Sequence, residues 1–198
     1  MRAPSTDRSR SDPAPAIEQE TNELTVSWVD YHRLIEHLAL QLHNAQAPFD
    51  QIVALSRGGL RLGDALSRLF QRPLVVMAAS SYGGDQDRAR GELVLGHQLA
   101  HTCPELGPRL LLVDDLADSG ATLEASRRWL IDTLEPAAVI TAVLWCKAHS
   151  CITPDFLAVE LPHNPWINQP FEAWDQTTPD QLRALGTCLL YTSDAADE

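Results

Sequence analysis

Short apolar runs alternate with segments whose apolar residues recur three and four apart, and this rhythm predicts strands alternating with helices. Tyr31, Leu34, Ile35, Leu38 and Leu42 follow Ser27-Trp28-Val29-Asp30, a capping-box start, so a first helix with one buried face is expected from about Ser27. His32, His37 and His43 fall mainly off that stripe and should face water. Residues 51–55 read as a strand and residues 60–69 as a second helix. Residues 73–80 and 92–95 read as strands on either side of a polar segment, and an apolar strand starts at Arg109. The helix after Thr122 turns Leu123, Leu130 and Leu134 inward and stops before Pro136. The strongly apolar run 137–146 belongs at the centre of a sheet covered on both faces, and residues 156–161 add one more strand. The expected class is α/β, with a central, mainly parallel sheet flanked by helices.

Composition narrows this without changing it. The 198 residues suit one domain large enough to bury its own core. A net charge of −12 opposes a general nucleic-acid or anionic-membrane surface, because such binding rests on basic patches. A phosphorylated substrate remains compatible, since it needs only local N–H groups, a metal and a few cations. No apolar run is long enough to span a bilayer, and residues 1–16 lack the apolar core of a signal peptide. The expectation is a cytoplasmic protein with no nucleic-acid or membrane partner. Cys103, Cys146, Cys151 and Cys188 show no zinc spacing, so free thiols are expected. Residues 1–22, rich in Pro, Ser, Arg and acids, read as a disordered leader before a domain over 23–187. Residues 188–198 back-translate to a string resembling a transposase adaptor from sequencing libraries. That tail is expected to be non-native, with the natural C-terminus missing beyond about Thr187.

The chemistry concentrates where the strand from Arg109 ends. Asp114, Asp115 and Asp118 precede Ser119-Gly120-Ala121-Thr122 and a helix. Backbone N–H groups and hydroxyls at those four residues can wrap a phosphate at the helix N-terminus. Asp114 and Asp115 would repel that phosphate, so their expected targets are sugar hydroxyls or a nearby metal. Ser56-Arg57-Gly58-Gly59 is a second Gly-rich turn between strand and helix, again an anion-binding order. Lys147 ends a strand, and in parallel α/β folds the carboxyl ends of strands line the ligand crevice. His97 and His101 lack the Glu of a zinc-protease helix and read as a surface or partly buried pair.

Val113-Asp114-Asp115-Leu116-Ala117-Asp118-Ser119-Gly120-Ala121-Thr122 resembles the phosphoribosyl-pyrophosphate (PRPP) loop of the type I phosphoribosyltransferases. It is not a Walker loop, since no Gly-Lys-Ser/Thr follows. Ser56-Arg57-Gly58-Gly59-Leu60 resembles the pyrophosphate loop of the purine enzymes, above all the bacterial xanthine–guanine branch. That likeness implies a cis peptide at Arg57–Gly58, with N–H groups meeting pyrophosphate. Ser80-Ser81-Tyr82 is similar to the start of the family's flexible loop, a lid that keeps water from a cationic ribose, with Arg88 or Arg90 neutralising pyrophosphate. Trp166-Ile167, with Gln169-Pro170-Phe171 after it, resembles the base-binding hood, about residues 162–175.

The resemblance implies the roles. Ser119 to Thr122 take the 5′-phosphate and Asp114 and Asp115 the ribose hydroxyls, with Mg²⁺ near Asp115, reached directly or through water or those hydroxyls. Asp118 moves a proton at purine N7. Lys147 contacts the oxygen on C6, Trp166 stacks on the base and the backbone at Ile167 reads its edge. The implied reaction transfers 5-phosphoribosyl from PRPP to a 6-oxopurine, in a homo-oligomer. The chain departs from the family after Lys147, reading Ala148-His149-Ser150 without the usual proline. The alternatives are a transferase for another base, against which Lys147 and Trp166 speak, and a non-catalytic PRPP- or nucleotide-sensing regulator, against which the acidic charge speaks.

Overall fold

The structure is a computed structural model and describes residues 23–82 and 92–184. The expected leader, the polar segment holding Arg88 and Arg90, and the expected foreign tail lie outside the described residues. Helix α1 (Trp28–Asn44) starts as its capping box implies, with Ser27 Oγ accepting from Asp30 N at 3.1 Å. Tyr31, Ile35, Leu38 and Leu42 are buried along it, and the three histidines off the stripe are exposed.

Strands β2 (Gln51–Ser56), β3 (Leu74–Tyr82), β4 (Glu92–Ala100), β5 (Arg109–Ala117), β6 (Ala138–Lys147) and β7 (Phe156–Leu161) form one sheet in the order β4-β3-β2-β5-β6-β7. All neighbours are parallel except β3 and β4. The period of two along each strand divides the core into two layers. Ile52, Ala54, Leu111, Val113 and Leu144 pack with α1 and α2 (Leu60–Phe70) on one face. Val53, Leu55, Leu112 and Val143 pack with Leu123 and Leu130 of α3 (Ala121–Leu134) on the other.

Two elements differ from expectation. Strand β4 runs five residues past Leu95, because its antiparallel ladder with β3 resumes beyond a bulge between Met77 and Ala79. His97 and His101 therefore lie along and just after a strand. The sequence pattern also gave no sign of β1 (Glu23–Thr25), which pairs in parallel with β8 (Trp166–Asn168) to form a separate two-stranded sheet. After β8 come a 3-10 turn (Glu172–Gln176) and the short helix α4 (Pro179–Ala184).

The chain leaves β2 for β3 on one side and returns to β5 on the other. The topological switch point, where open α/β sheets place their ligands, thus falls between β2 and β5. Close packing of α2 against this centre depends on Gly63, where an added Cβ would sit 2.5 Å from the Ala54 Cβ. Gly63→Ala should therefore cost about 1–3 kcal/mol through overpacking, despite the better helix propensity of alanine. Equilibrium urea unfolding checks this; an unchanged or raised midpoint would contradict the tight contact.

Candidate active site

Three adjacent strands deliver the candidate residues to one crevice. Strand β2 ends in Ser56-Arg57-Gly58-Gly59, β5 in the acids, and β6 in Lys147. The cis peptide is Ser56–Arg57, one bond earlier than the family likeness implied. The glycines have another use. A Cβ at Gly58 would collide with the Asp115 carboxylate, and one at Gly59 would lie 2.5 Å from the Val113 carbonyl oxygen. Side-chain-free backbone is what lets the first loop lie against the second.

Ser119, Gly120, Ala121 and Thr122 turn β5 into α3. Gly120 has φ +73°, a left-handed conformation suited to glycine, and a side chain there would run into Ser150 and Ile152. No side chain caps the helix at Gly120; the closest substitute is Ser119 Oγ, 3.4 Å from Ala121 N. The first N–H groups of this helix are therefore available to an anion.

The acids divide by environment. Burial, and then the neighbouring Asp115 charge, push the Asp114 carboxyl well above the usual carboxylate range, while its Oδ1 accepts from Asp115 N at 3.0 Å. Asp115 Oδ2 accepts from Gln169 Nε2 at 2.5 Å. Gln169 is buried, and its Oε1 has no partner among the described residues; the same is true of the buried Tyr31 hydroxyl. Burial and the Asp115 charge also raise the Tyr31 phenol. Glu172 is raised by burial first, with Asp115 and Asp175 adding repulsion, and its Oε2 accepts from Gln169 N at 3.3 Å.

Asp118 stands apart from this cluster. Its Oδ1 lies 3.3 Å from Lys147 Nζ and 2.8 Å from His149 Nε2. The Lys147 side chain is only 6% exposed, so the expected lysine is a buried cation with a carboxylate partner.

The hood candidates separate into two kinds. Trp166 is 62% exposed and offers a free ring face. The Ile167 side chain is buried in the core beneath α1, so only its backbone remains for a ligand, as the family likeness implied. Residues beyond Ile167 tie the hood down. Arg61 of α2 lies 4.0 Å over the Phe171 ring, and Arg57 approaches Asp175 at 3.7 Å. Ser80, Ser81 and Tyr82, the expected start of the lid, lie at the end of β3. A cavity of about 490 Å³ lined by His101, Leu106, Leu110 and Pro136 lies instead at the amino ends of β5 and β6.

Gln169, Glu172 and His149 belong to this neighbourhood although the sequence did not mark them as site residues. Gln169 and Glu172 stood in the hood stretch, and His149 stood where the family pattern broke.

This fold and this ordering of loops define the type I phosphoribosyltransferase architecture. The chain belongs to the phosphoribosyl transferase domain family, whose model matches residues 27–176. Over 169 residues it is 30% identical to the xanthine-guanine phosphoribosyltransferase of Gluconobacter oxydans (strain 621H), covering 85% of this chain and 95% of that one. The enzyme of the same name from Idiomarina loihiensis is 33% identical, with coverage of 77% and 87%. Among solved structures, the purine phosphoribosyltransferase of Pyrococcus horikoshii Ot3 matches with a TM-score of 0.62 at 26% identity, over 76% of this chain and 94% of that one. The Helicobacter pylori xanthine-guanine-hypoxanthine phosphoribosyltransferase shares the fold, with a TM-score of 0.64 at 23% identity and coverage of 84% and 99%.

The raised Glu172 carboxyl gives a pH prediction. Its proton is held more tightly in the folded state, so its contribution to stability is present below the ordinary glutamate range and is lost as pH rises through the raised value. Glu172→Gln should therefore gain Tm relative to wild type as pH goes from about 4 to about 7. Melting curves of the ligand-free protein check this; a difference that stays constant or shrinks would refute it.

Proposed function

We propose that this enzyme transfers the 5-phosphoribosyl group of PRPP to a 6-oxopurine, giving a nucleoside 5′-monophosphate and pyrophosphate. The observation that carries the reading is the 3.3 Å approach of Lys147 Nζ to Asp118 Oδ1. N7 and O6 lie side by side on one edge of guanine, and the other 6-oxopurines share that edge. A group for N7 and a group for O6 must therefore be neighbours, as Asp118 and Lys147 are. The ammonium has donors only, which suits a carbonyl oxygen and not the amino group of adenine. Uracil has no such edge.

The roles follow from position. The helix α3 terminus and Ser119 to Thr122 bind the 5′-phosphate, and Asp114 and Asp115 bind the ribose hydroxyls. The backbone of Ser56 to Gly59 receives pyrophosphate. Trp166 stacks on the base, and the Ile167 backbone reads its edge. As N9 bonds to the ribose C1 and the pyrophosphate oxygen departs, Asp118 takes the proton that leaves N7. Orientation of the two substrates and stabilisation of the leaving group supply the rate, with no covalent nucleophile.

The residues fit the Mg²⁺ that this chemistry uses. Asp115, Glu172 and Gln169 Oε1, which has no partner among the described residues, are hard oxygen donors beside the ribose position. Among the described residues no cluster of three His, Cys, Asp or Glu side chains could hold a metal by itself. A divalent cation here would be held by one or two carboxylates and completed by substrate oxygens. When bound, it would neutralise charge on the departing pyrophosphate.

Pyrophosphate release from PRPP with guanine, xanthine, hypoxanthine, adenine and uracil tests the reading. Release with 6-oxopurines alone is expected. Release with uracil or adenine alone would replace the substrate class, and PRPP binding without release on any base would favour a regulator. Asp118→Asn should lower kcat by about 100-fold or more and leave PRPP affinity near wild type. Wild-type turnover in that variant would remove Asp118 from the mechanism. Lys147→Ala should raise KM for the base and erode the preference for 6-oxopurines over adenine; an unchanged preference would overturn its assignment.

A further inference from the structure

The turn after β6 carries a second group to Asp118. Ser150 N donates to Lys147 O at 2.9 Å, which folds the chain back just past the strand. Cys151 N then donates to Ser119 O at 2.8 Å, and Gly120 lies against Ser150 and Ile152. Residues 148–152 are thereby packed onto the loop that contains Asp118. His149 emerges from this turn with Nε2 at 2.8 Å from Asp118 Oδ1, and its side chain is 43% exposed. Lys147 Nζ reaches the same oxygen. Among the described residues Asp118 Oδ2 has no hydrogen bond or ion pair.

We propose that His149 is a positioning residue for the proton transfer, holding Asp118 Oδ1 so that Oδ2 is the oxygen presented to the base. This rests on the reading of Asp118 given above and adds to it a residue and an atom. With Lys147 alone, the carboxylate can rotate about one point contact. A second donor from a different direction fixes its plane, and fixed geometry at the reacting atom is what proton transfer requires. Nε2 must carry the hydrogen for this bond to form, which specifies the tautomer of the neutral ring.

Steady-state kinetics of the full chain, with PRPP, Mg²⁺ and the base that supports release, test this in His149→Ala and His149→Gln. His149→Ala should lower kcat about tenfold, with KM for PRPP within about twofold of wild type. Glutamine keeps a donor at this position, so it should restore most of kcat. Wild-type kcat in His149→Ala would overturn the proposal. Nitrogen NMR of the ring should show Nε2–H in the neutral form, and a neutral Nδ1–H tautomer would overturn it too. A wild-type protein that turns over no base would instead overturn the underlying reading of the site, and this proposal with it.

Discussion

The hydrogen bond from Gln169 Nε2 to Asp115 Oδ2 joins parts of the molecule that share no strand pairing. Asp115 belongs to the central strand, Gln169 to the segment that follows Trp166 and Ile167. The other side of the same carboxylate faces Gly58, with space for nothing larger than hydrogen. One acidic side chain thus sets the spacing of the turn after β2, the end of β5 and the segment after β8. The contacts that reinforce this spacing are exposed or partly exposed, such as Arg57 with Asp175 and Arg61 over Phe171. Exposed pairs of this kind contribute little each. The part-buried amide–carboxylate bond is the contact that removes alternatives.

The electrostatics of the crevice follow from the same crowding. Asp114, Asp115 and Glu172 lie close enough for their charges to resist one another, and Tyr31 feels the first two. Lys147 and His149 are committed to Asp118. The acidic cluster is thus left without a lysine partner of its own. The uncapped start of α3 at Gly120 offers the opposite potential through its backbone dipoles. A chain of net charge −12 thus keeps a local site of positive potential.

Legibility in the sequence followed the range of the interaction. The start of α1 and the bounds of β7 were readable because caps and apolar runs are local. The turn from β5 into α3 was readable because its acids and small residues are consecutive. Strand β1 was not, since three exposed residues carry no hydrophobic pattern and their partner lies near the other end of the chain. The length of β4 depended on a bulge in β3. Gln169 and His149 acquire their significance only through Asp115 and Asp118, which are distant in sequence. That the Ile167 side chain is core while Trp166 is exposed was not legible, because the pattern Trp-Ile does not say which of the two points inward.

The β1–β8 ladder has a consequence for the order in which the molecule comes into being. Glu23 pairs with Trp166, so an early segment must wait for a late one. During synthesis, the β2–α2 and β5–α3 turns can assemble while β8 and the segment after it are still to be made. Contacts of such long sequence separation are also the slow ones in refolding, because loop closure precedes any gain from pairing. The side of the crevice formed by β8 and the segment after it is thus the last part to be walled in, on a sheet already assembled.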